Sequence, residues 1–142
     1  MSTIVIAEAG VNHNGDLSLA HKLIDTAADA GADAIKFQTF NADKLCTKDA
    51  MQANYQLKNS LASNQIEMLK ELELTNEEMI ELATHAEDLK IKFLSTAFDK
   101  DSLDFLIDEI GMKIIKVPSG EITNYDFLDY VSYKNLPTII ST

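Results

Sequence analysis

Residues 4–40 read IVIAEAGVNHNGDLSLAHKLIDTAADAGADAIKFQTF, and this stretch decides the fold. Ile4 to Ala9 is a short, β-branched apolar run that breaks at Gly10, as a strand does. Asp16 stands where a helix N-cap belongs, and Leu19, Leu23, Ile24 and Ala27 follow at helical spacing. Gly31 supplies the stop, because a helix end often needs the left-handed backbone that glycine adopts at little cost. Ala34 to Thr39 is a second strand, with Lys36 and Gln38 on one face and Ile35 and Phe37 on the other. Strand, helix and strand in so few residues imply a parallel pair joined by a right-handed crossover.

The same alternation continues along the chain. Lys92 to Phe98, Lys113 to Val117 and Thr138 to Ser141 read as further strands. Thr75 with Glu78 forms a capping box ahead of Met79, Leu82, Ala83, Ala86 and Leu89. Asp99 opens a helix carrying Leu103, Leu106, Ile107 and Ile110, closed by Gly111. Another helix spans Tyr125 to Tyr133, with Pro137 beyond it. The order β-α-β-α-β-α-β-α-β places the chain in the α/β class with a parallel sheet. Residues 40–74 hold more than one helix and its turns, including the polar stretch from Asn54 to Gln65, and insertions of that kind commonly contribute to binding sites.

Two architectures fit this order. An open, doubly wound five-stranded sheet suits the length, whereas an eight-stranded βα barrel needs about 250 residues. The last strand ends at Ser141-Thr142 with no helix after it to cover its face. A complete open sheet should not end there, so the expectation at this point is a cut chain, with both architectures still open.

The sequence has 142 residues, a net charge of -11 and 46% hydrophobic residues. This acidity argues against nucleic acid and against an anionic membrane surface. No apolar run approaches the roughly 20 residues of a spanning helix. The N-terminus lacks the basic region of a signal peptide, and the single Cys46 cannot form an internal disulfide; both suit a cytoplasmic protein.

Ligands of parallel α/β folds bind at the C-terminal strand ends, and each of the five ends here carries polar groups. Glu8 closes the first strand, Lys36 and Gln38 the second, and Ser95-Thr96 the third. Lys116 and Ser119-Gly120-Glu121 close the fourth, and Ser141-Thr142 the fifth. A lysine within an apolar strand is costly without anionic company. One account pairs Lys36 with Glu8 and Lys116 with Glu121 as ion pairs plugging the sheet end. The other makes the two ammoniums, the hydroxyls and the amides near Ser119-Gly120 an anion pocket for phosphate or carboxylate. His13 lies near this rim, in an Asn12-His13-Asn14-Gly15 turn. His21 and His85 fall on helices at no metal-ligand spacing, and Cys46 has no local base to activate it.

Four segments, Ala7-Glu8-Ala9-Gly10-Val11-Asn12-His13-Asn14-Gly15, Ile35-Lys36-Phe37-Gln38-Thr39-Phe40, Ser95-Thr96-Ala97-Phe98-Asp99 and Lys116-Val117-Pro118-Ser119-Gly120-Glu121, together resemble the sialic acid synthase (N-acetylneuraminate synthase) family. Ala42-Asp43-Lys44-Leu45 and Tyr55-Gln56-Leu57-Lys58-Asn59 extend the resemblance through the insertion. It implies a (β/α)8 TIM barrel, here incomplete with about five parallel strands, that condenses phosphoenolpyruvate with an N-acetylmannosamine-type sugar to give a sialic acid and phosphate, with Mn²⁺ or Mg²⁺ as cofactor. By motif, Lys36, Thr96, Lys116, Ser119 and Ser141 would contact phosphoenolpyruvate. Gln38 and Glu121 would face the sugar or the reacting carbons, and Glu8 would support the site, making Glu121 and Glu8 the catalytic carboxylates.

The sequence departs from the family at Ala97, where proline is usual, and at Ala9, where isoleucine is usual. The family's metal-binding histidines, last three strands and C-terminal antifreeze-like domain would fall beyond Thr142. The expectations are thus an N-terminal portion of the barrel domain, no metal ligands within the chain, no activity on its own and a homo-oligomer that covers the open sheet edges. The alternatives are another phosphoenolpyruvate-condensing or aldolase-type barrel, or a noncatalytic anion-binding domain. A receiver-like sheet would carry acidic residues at its strand ends, where this one carries lysine and hydroxyls.

Overall fold

The computed structural model describes residues 3–45 and 65–142; Cys46, the Tyr55–Asn59 segment and most of the polar stretch 54–65 lie outside the described residues. Five strands, β1 (Ile6–Gly10), β2 (Ala34–Thr39), β3 (Lys92–Ala97), β4 (Ile115–Val117) and β5 (Thr138–Ile140), form one sheet in the order β1-β2-β3-β4-β5. Every pairing is parallel. A doubly wound sheet reverses its strand order at a switch point, and this one never does. The winding is that of an arc of a βα barrel, which removes the open-sheet alternative.

The helices are α1 (Leu17–Asp29), α2 (Ala42–Leu45), α3 (Gln65–Leu72), α4 (Asn76–Asp88), α5 (Lys100–Asp108) and α6 (Tyr125–Tyr133). Their starts follow from side chains that satisfy the orphan amides of the first turn. Asp16 accepts from the Leu19 amide, Asp99 from that of Ser102 and Asn124 from that of Phe127. Thr75 and Glu78 form the reciprocal capping box.

Apolar burial then holds the helices on one face of the sheet. Phe37 and Ile35 turn to that face, and the Phe37 ring stacks on Phe93 with centroids 5.5 Å apart. Ile24, Leu82, Leu103 and Leu106 are fully buried against them. Each such side chain contributes about 1.5–3 kcal/mol, against about 1 kcal/mol for a typical helix cap. The buried stripe of α1 is Ala20, Ile24 and Ala27; Leu19 and Leu23 fall on its flanks, half-buried. Ala20 is the residue the spacing passed over, because a small side chain lets the helix approach the sheet closely.

Strand ends differ from the apolar runs. Ile4 and Val5 lie outside β1 and are 64% and 55% exposed. They are held instead by the loop before β2, where the Val5 amide donates to Asp33 Oδ2 at 2.7 Å and the Val5 carbonyl accepts from Asp33 and Ala34. At the other edge, Ile139 and Ile140 are also exposed. A bulge interrupts β1, since Glu8 pairs with Lys36 but Gly10 pairs with Phe37, leaving Ala9 as the extra residue. Bulges concentrate at barrel rims, where they re-aim side chains beside sites.

The long β2–α4 connection docks back on that rim. The Ala42 amide donates to Glu73 Oε2, Lys70 pairs with Asp43 at 2.9 Å, and Lys44 pairs with Asp99 and Asp101. Its closest approach is at Gly15, where φ is +73° and an added Cβ would lie 2.2 Å from the Glu71 carbonyl oxygen. Gly31 has a similar φ of +77° but open space around it. Gly31→Ala should therefore cost only the left-handed penalty of about 1–2 kcal/mol. Gly15→Ala should cost clearly more and expose α3 to protease, as chemical denaturation and limited proteolysis of the two variants side by side would measure. Equal losses would mean that α3 does not press on the turn.

Candidate active site

Parallel register carries the polar strand ends to one place. Glu8 is the cross-strand partner of Lys36, Gln38 of Thr96, and Thr96 of Lys116. Period-2 alternation points these side chains away from the helix layer. They line a cavity of about 400 Å³, within the range of small-molecule sites. Glu8, Lys36, Gln38, Thr96, Lys116, Ser119 and Ser141 all lie on its wall. Gly10, Val11, Asn12, Phe98 and Pro118 complete the lining. These five are backbone-rich or apolar, and no charge or hydroxyl pattern in the sequence marked them.

The electrostatics are uneven. Lys36 Nζ lies 2.5 Å from Glu8 Oε2 and donates to Thr96 Oγ1 at 3.2 Å. Lys116 Nζ donates to Ser141 Oγ at 2.7 Å and to the Val117 carbonyl at 2.6 Å. Among the described residues Lys116 has no carboxylate partner. Burial, and then the repulsion of the Lys36 ammonium, hold Lys116 below the ordinary lysine value, with Glu8 only partly opposing them. Two ammoniums thus share one carboxylate, and the wall keeps an unbalanced positive charge.

Glu121 is not where the ion-pair account put it. It sits in a single 3-10 turn, Ser119–Glu121, where strand alternation no longer applies. Its Oε2 accepts from Asn124 Nδ2 at 2.6 Å, and it does not line the cavity. The pairing of Lys116 with Glu121 is thereby replaced by that of Lys116 with Ser141, whereas Lys36 does pair with Glu8.

His13 turns away from the cavity and is buried, 1% exposed. Its Nδ1 accepts from the Gly15 amide at 3.1 Å, which leaves the proton of the neutral ring on Nε2. Among the described residues Nε2 has no partner, and an unmet buried donor costs about 1–3 kcal/mol. Burial lowers its basicity, and the Glu78 carboxylate partly restores it.

His21 and His85 pack edge to face between α1 and α4, each bonded to a carboxylate of the other helix, Glu81 and Asp25. Among the described residues no group of three or more His, Cys, Asp or Glu side chains is arranged to hold a metal. The cavity, with two ammoniums and one engaged carboxylate, does not fit a divalent cation.

The model of the NeuB family matches residues 23–142. N,N'-diacetyllegionaminic acid synthase of Legionella pneumophila is 53% identical over 100% of this chain and 40% of its own length. The Campylobacter jejuni enzyme of the same name is 50% identical over 99% of this chain and 42% of its own. The crystal structure of an N-acetylneuraminic acid synthetase from Leptospira borgpetersenii, in complex with citrate, superimposes with a TM-score of 0.80 at 35% identity, covering 97% of this chain and 44% of that one. The chain thus spans about 40% of the length of the curated relatives it matches.

Charge of one sign gathered at a sheet end costs stability. Lys116→Met should accordingly leave the unfolding free energy unchanged or raise it by up to about 1 kcal/mol. Leu82→Ala, in the core, should lose about 2–5 kcal/mol. Denaturant titrations without ligand check both, and a large loss for Lys116→Met would make the lysine a structural plug.

Proposed function

Because the chain belongs to the NeuB family, we propose that this cavity holds phosphoenolpyruvate for condensation with an N-acetylated sugar aldehyde, giving a nonulosonic acid and phosphate. The observation that carries this reading is the Lys36–Lys116 pair sharing one carboxylate within a hydroxyl-lined pocket. Phosphoenolpyruvate carries its phosphate and its carboxylate on the same carbon, so two cations set side by side suit it better than either alone. The relatives that are half identical are diacetyllegionaminic acid synthases. That favours a deoxy-diacetamido sugar as acceptor over N-acetylmannosamine itself.

The chain's own groups would act chiefly by placement and charge. Lys36, Thr96, Lys116, Ser119 and Ser141 hold the anionic oxygens. Gln38 orients the acceptor, and Glu8, paired with Lys36, supports the site and is the catalytic carboxylate on the cavity wall. Glu121, one turn beyond Ser119, serves the acceptor side. C3 of the enol phosphate attacks the aldehyde carbon, water adds at C2, and the C–O bond breaks to release phosphate. A divalent metal is the cofactor implied by the resemblance; the described residues form no site for it, and no step here is drawn through one. Residues 1–142 by themselves should therefore bind the enol phosphate without turning it over.

The deciding assay is phosphate release from phosphoenolpyruvate by the full-length protein with Mn²⁺ or Mg²⁺, offered N-acetylmannosamine and deoxy-diacetamido sugars in turn. Lys36→Ala and Lys116→Ala should each lower kcat/KM by about 100-fold or more. No release with any of these sugars would sink the proposal.

Lys116 adds a pH signature. Its folded-state basicity lies below the ordinary value of 10.5. The unliganded protein therefore gains stability as pH climbs from that lowered value toward 10.5, because the unfolded chain binds more protons there. A bound anion favours the ammonium, so affinity for inorganic phosphate should fall over the same alkaline range. Calorimetry of the wild type beside Lys116→Met, in which that limb should vanish, reads it out.

A further inference from the structure

The Asn12-His13-Asn14-Gly15 turn does more than reverse the chain. Val11 and Asn12 form one wall of the cavity, and His13 is the next residue. Gly15 bonds to the His13 ring through its amide and presses its α-carbon against the Glu71 carbonyl of α3. The turn is drawn tight by Asn14 and Gly15, both at positive φ, and by the Asp16 amide donating to the His13 carbonyl at 2.8 Å. One imidazole therefore joins three parts: the cavity wall, the turn and the insertion.

We propose that His13 is a positioning residue whose unprotonated Nδ1 latches Gly15, so that gain of a proton there frees the Val11-Asn12 wall and the docking of α3. The chemistry follows from the hydrogen bond itself. Nδ1 accepts only while its lone pair is free, and an imidazolium would turn an N–H toward the Gly15 N–H. Two donors facing each other under a buried turn cannot both stay. The charge that acts on the ring is the Glu78 carboxylate of α4. From β2 the ring meets Phe37, which does not titrate, at 6.1 Å between centroids. Asp16, at the start of α1, spends its carboxylate on the Leu19 amide, and α3 presents the Glu71 backbone. Burial keeps the ring neutral at neutral pH, so the latch is closed there and opens in acid.

Two substitutions separate the latch from mere packing. His13→Asn puts an amide oxygen where Nδ1 was and cannot titrate. Glu78→Gln keeps the capping box, which accepts either residue, and removes the charge that favours the imidazolium.

The first measurement is hydrogen exchange at the Gly15 and α3 amides from about pH 7.5 down to the lowest pH at which the protein stays folded, corrected for intrinsic rates. Protection should collapse in the wild type as pH falls, stay level in His13→Asn, and collapse at lower pH in Glu78→Gln. The second is sulfate affinity, since sulfate does not titrate in this range. It is taken in about 0.5 M NaCl, where a Debye length of ~4 Å screens the new positive charge. The wild type should bind about tenfold more weakly at the acid end, and His13→Asn should not.

The latch is overturned if Gly15 protection in the wild type is the same at both ends of that range, a result independent of whether any variant folds. It is equally overturned if sulfate affinity falls alike in wild type and His13→Asn. Only the sulfate arm rests on the proposed function. Protection that follows His13 in a protein that binds no sulfate at any pH would support the latch and refute the anion cavity.

Discussion

Everything at the polar end of this molecule depends on a parallel register that brings two lysines to one cavity, whose one lining carboxylate among the described residues, Glu8, pairs with Lys36 on the side away from Lys116. Lys36 and Lys116 stand on β2 and β4, separated by β3, whose Thr96 is the cross-strand partner of both Gln38 and Lys116. Neither lysine can leave without breaking the alternation that buries Phe37, Ile115 and Val117 on the other side. The apolar face therefore fixes the charged one. That is how a protein with a net charge of -11 keeps a locally positive hollow. Its acidity is spread over solvated helix faces, where salt screens it, and the lysines sit where it does not.

Most of the fold was legible because it rests on local chemistry. Asp16, Thr75 with Glu78, and Asp99 all cap the helices they were expected to cap, and Tyr125–Tyr133 is helical throughout. Strand boundaries were less legible. Ile4 and Val5 have the right side chains for a strand, but the ladder begins only with Ile6 opposite Ala34, and Val5 bonds instead to Asp33 in the loop before β2 and to Ala34, its first residue. Apolar pattern reports a tendency, whereas pairing decides the end. The seating of α3 was illegible for a related reason: it is a backbone contact at Gly15, which no hydrophobic period records.

The site divides along the same line. Residues within strands, Glu8, Lys36, Gln38, Thr96 and Lys116, could be placed on one face from a period of two, and they meet there. Glu121 could not, because Pro118 ends the strand and the following 3-10 turn rotates its side chain toward Asn124. Ser141 is the informative case. It follows β5 directly, close enough for its hydroxyl to take the bond from Lys116 that a carboxylate was expected to take. A hydroxyl satisfies the donor without cancelling the charge, which is the difference between a plugged sheet end and a receptive one.

The arrangement also explains why stability and ligand binding pull against each other here. Among the described residues, the polar face carries a lysine without a counter-ion, and behind the rim the buried His13 is a donor without an acceptor. The apolar side supplies the surplus that tolerates them: Ile24, Leu82, Leu103 and Leu106 are each fully buried, whereas the two polar defects together cost only a few kcal/mol. The lysine lies on the wall of the cavity, and His13 lies behind that wall, on the side of Phe37 and α4. An anion entering between the lysines would supply the missing countercharge at the place where the fold is least satisfied, so part of its binding energy is set in advance by what the empty pocket lacks.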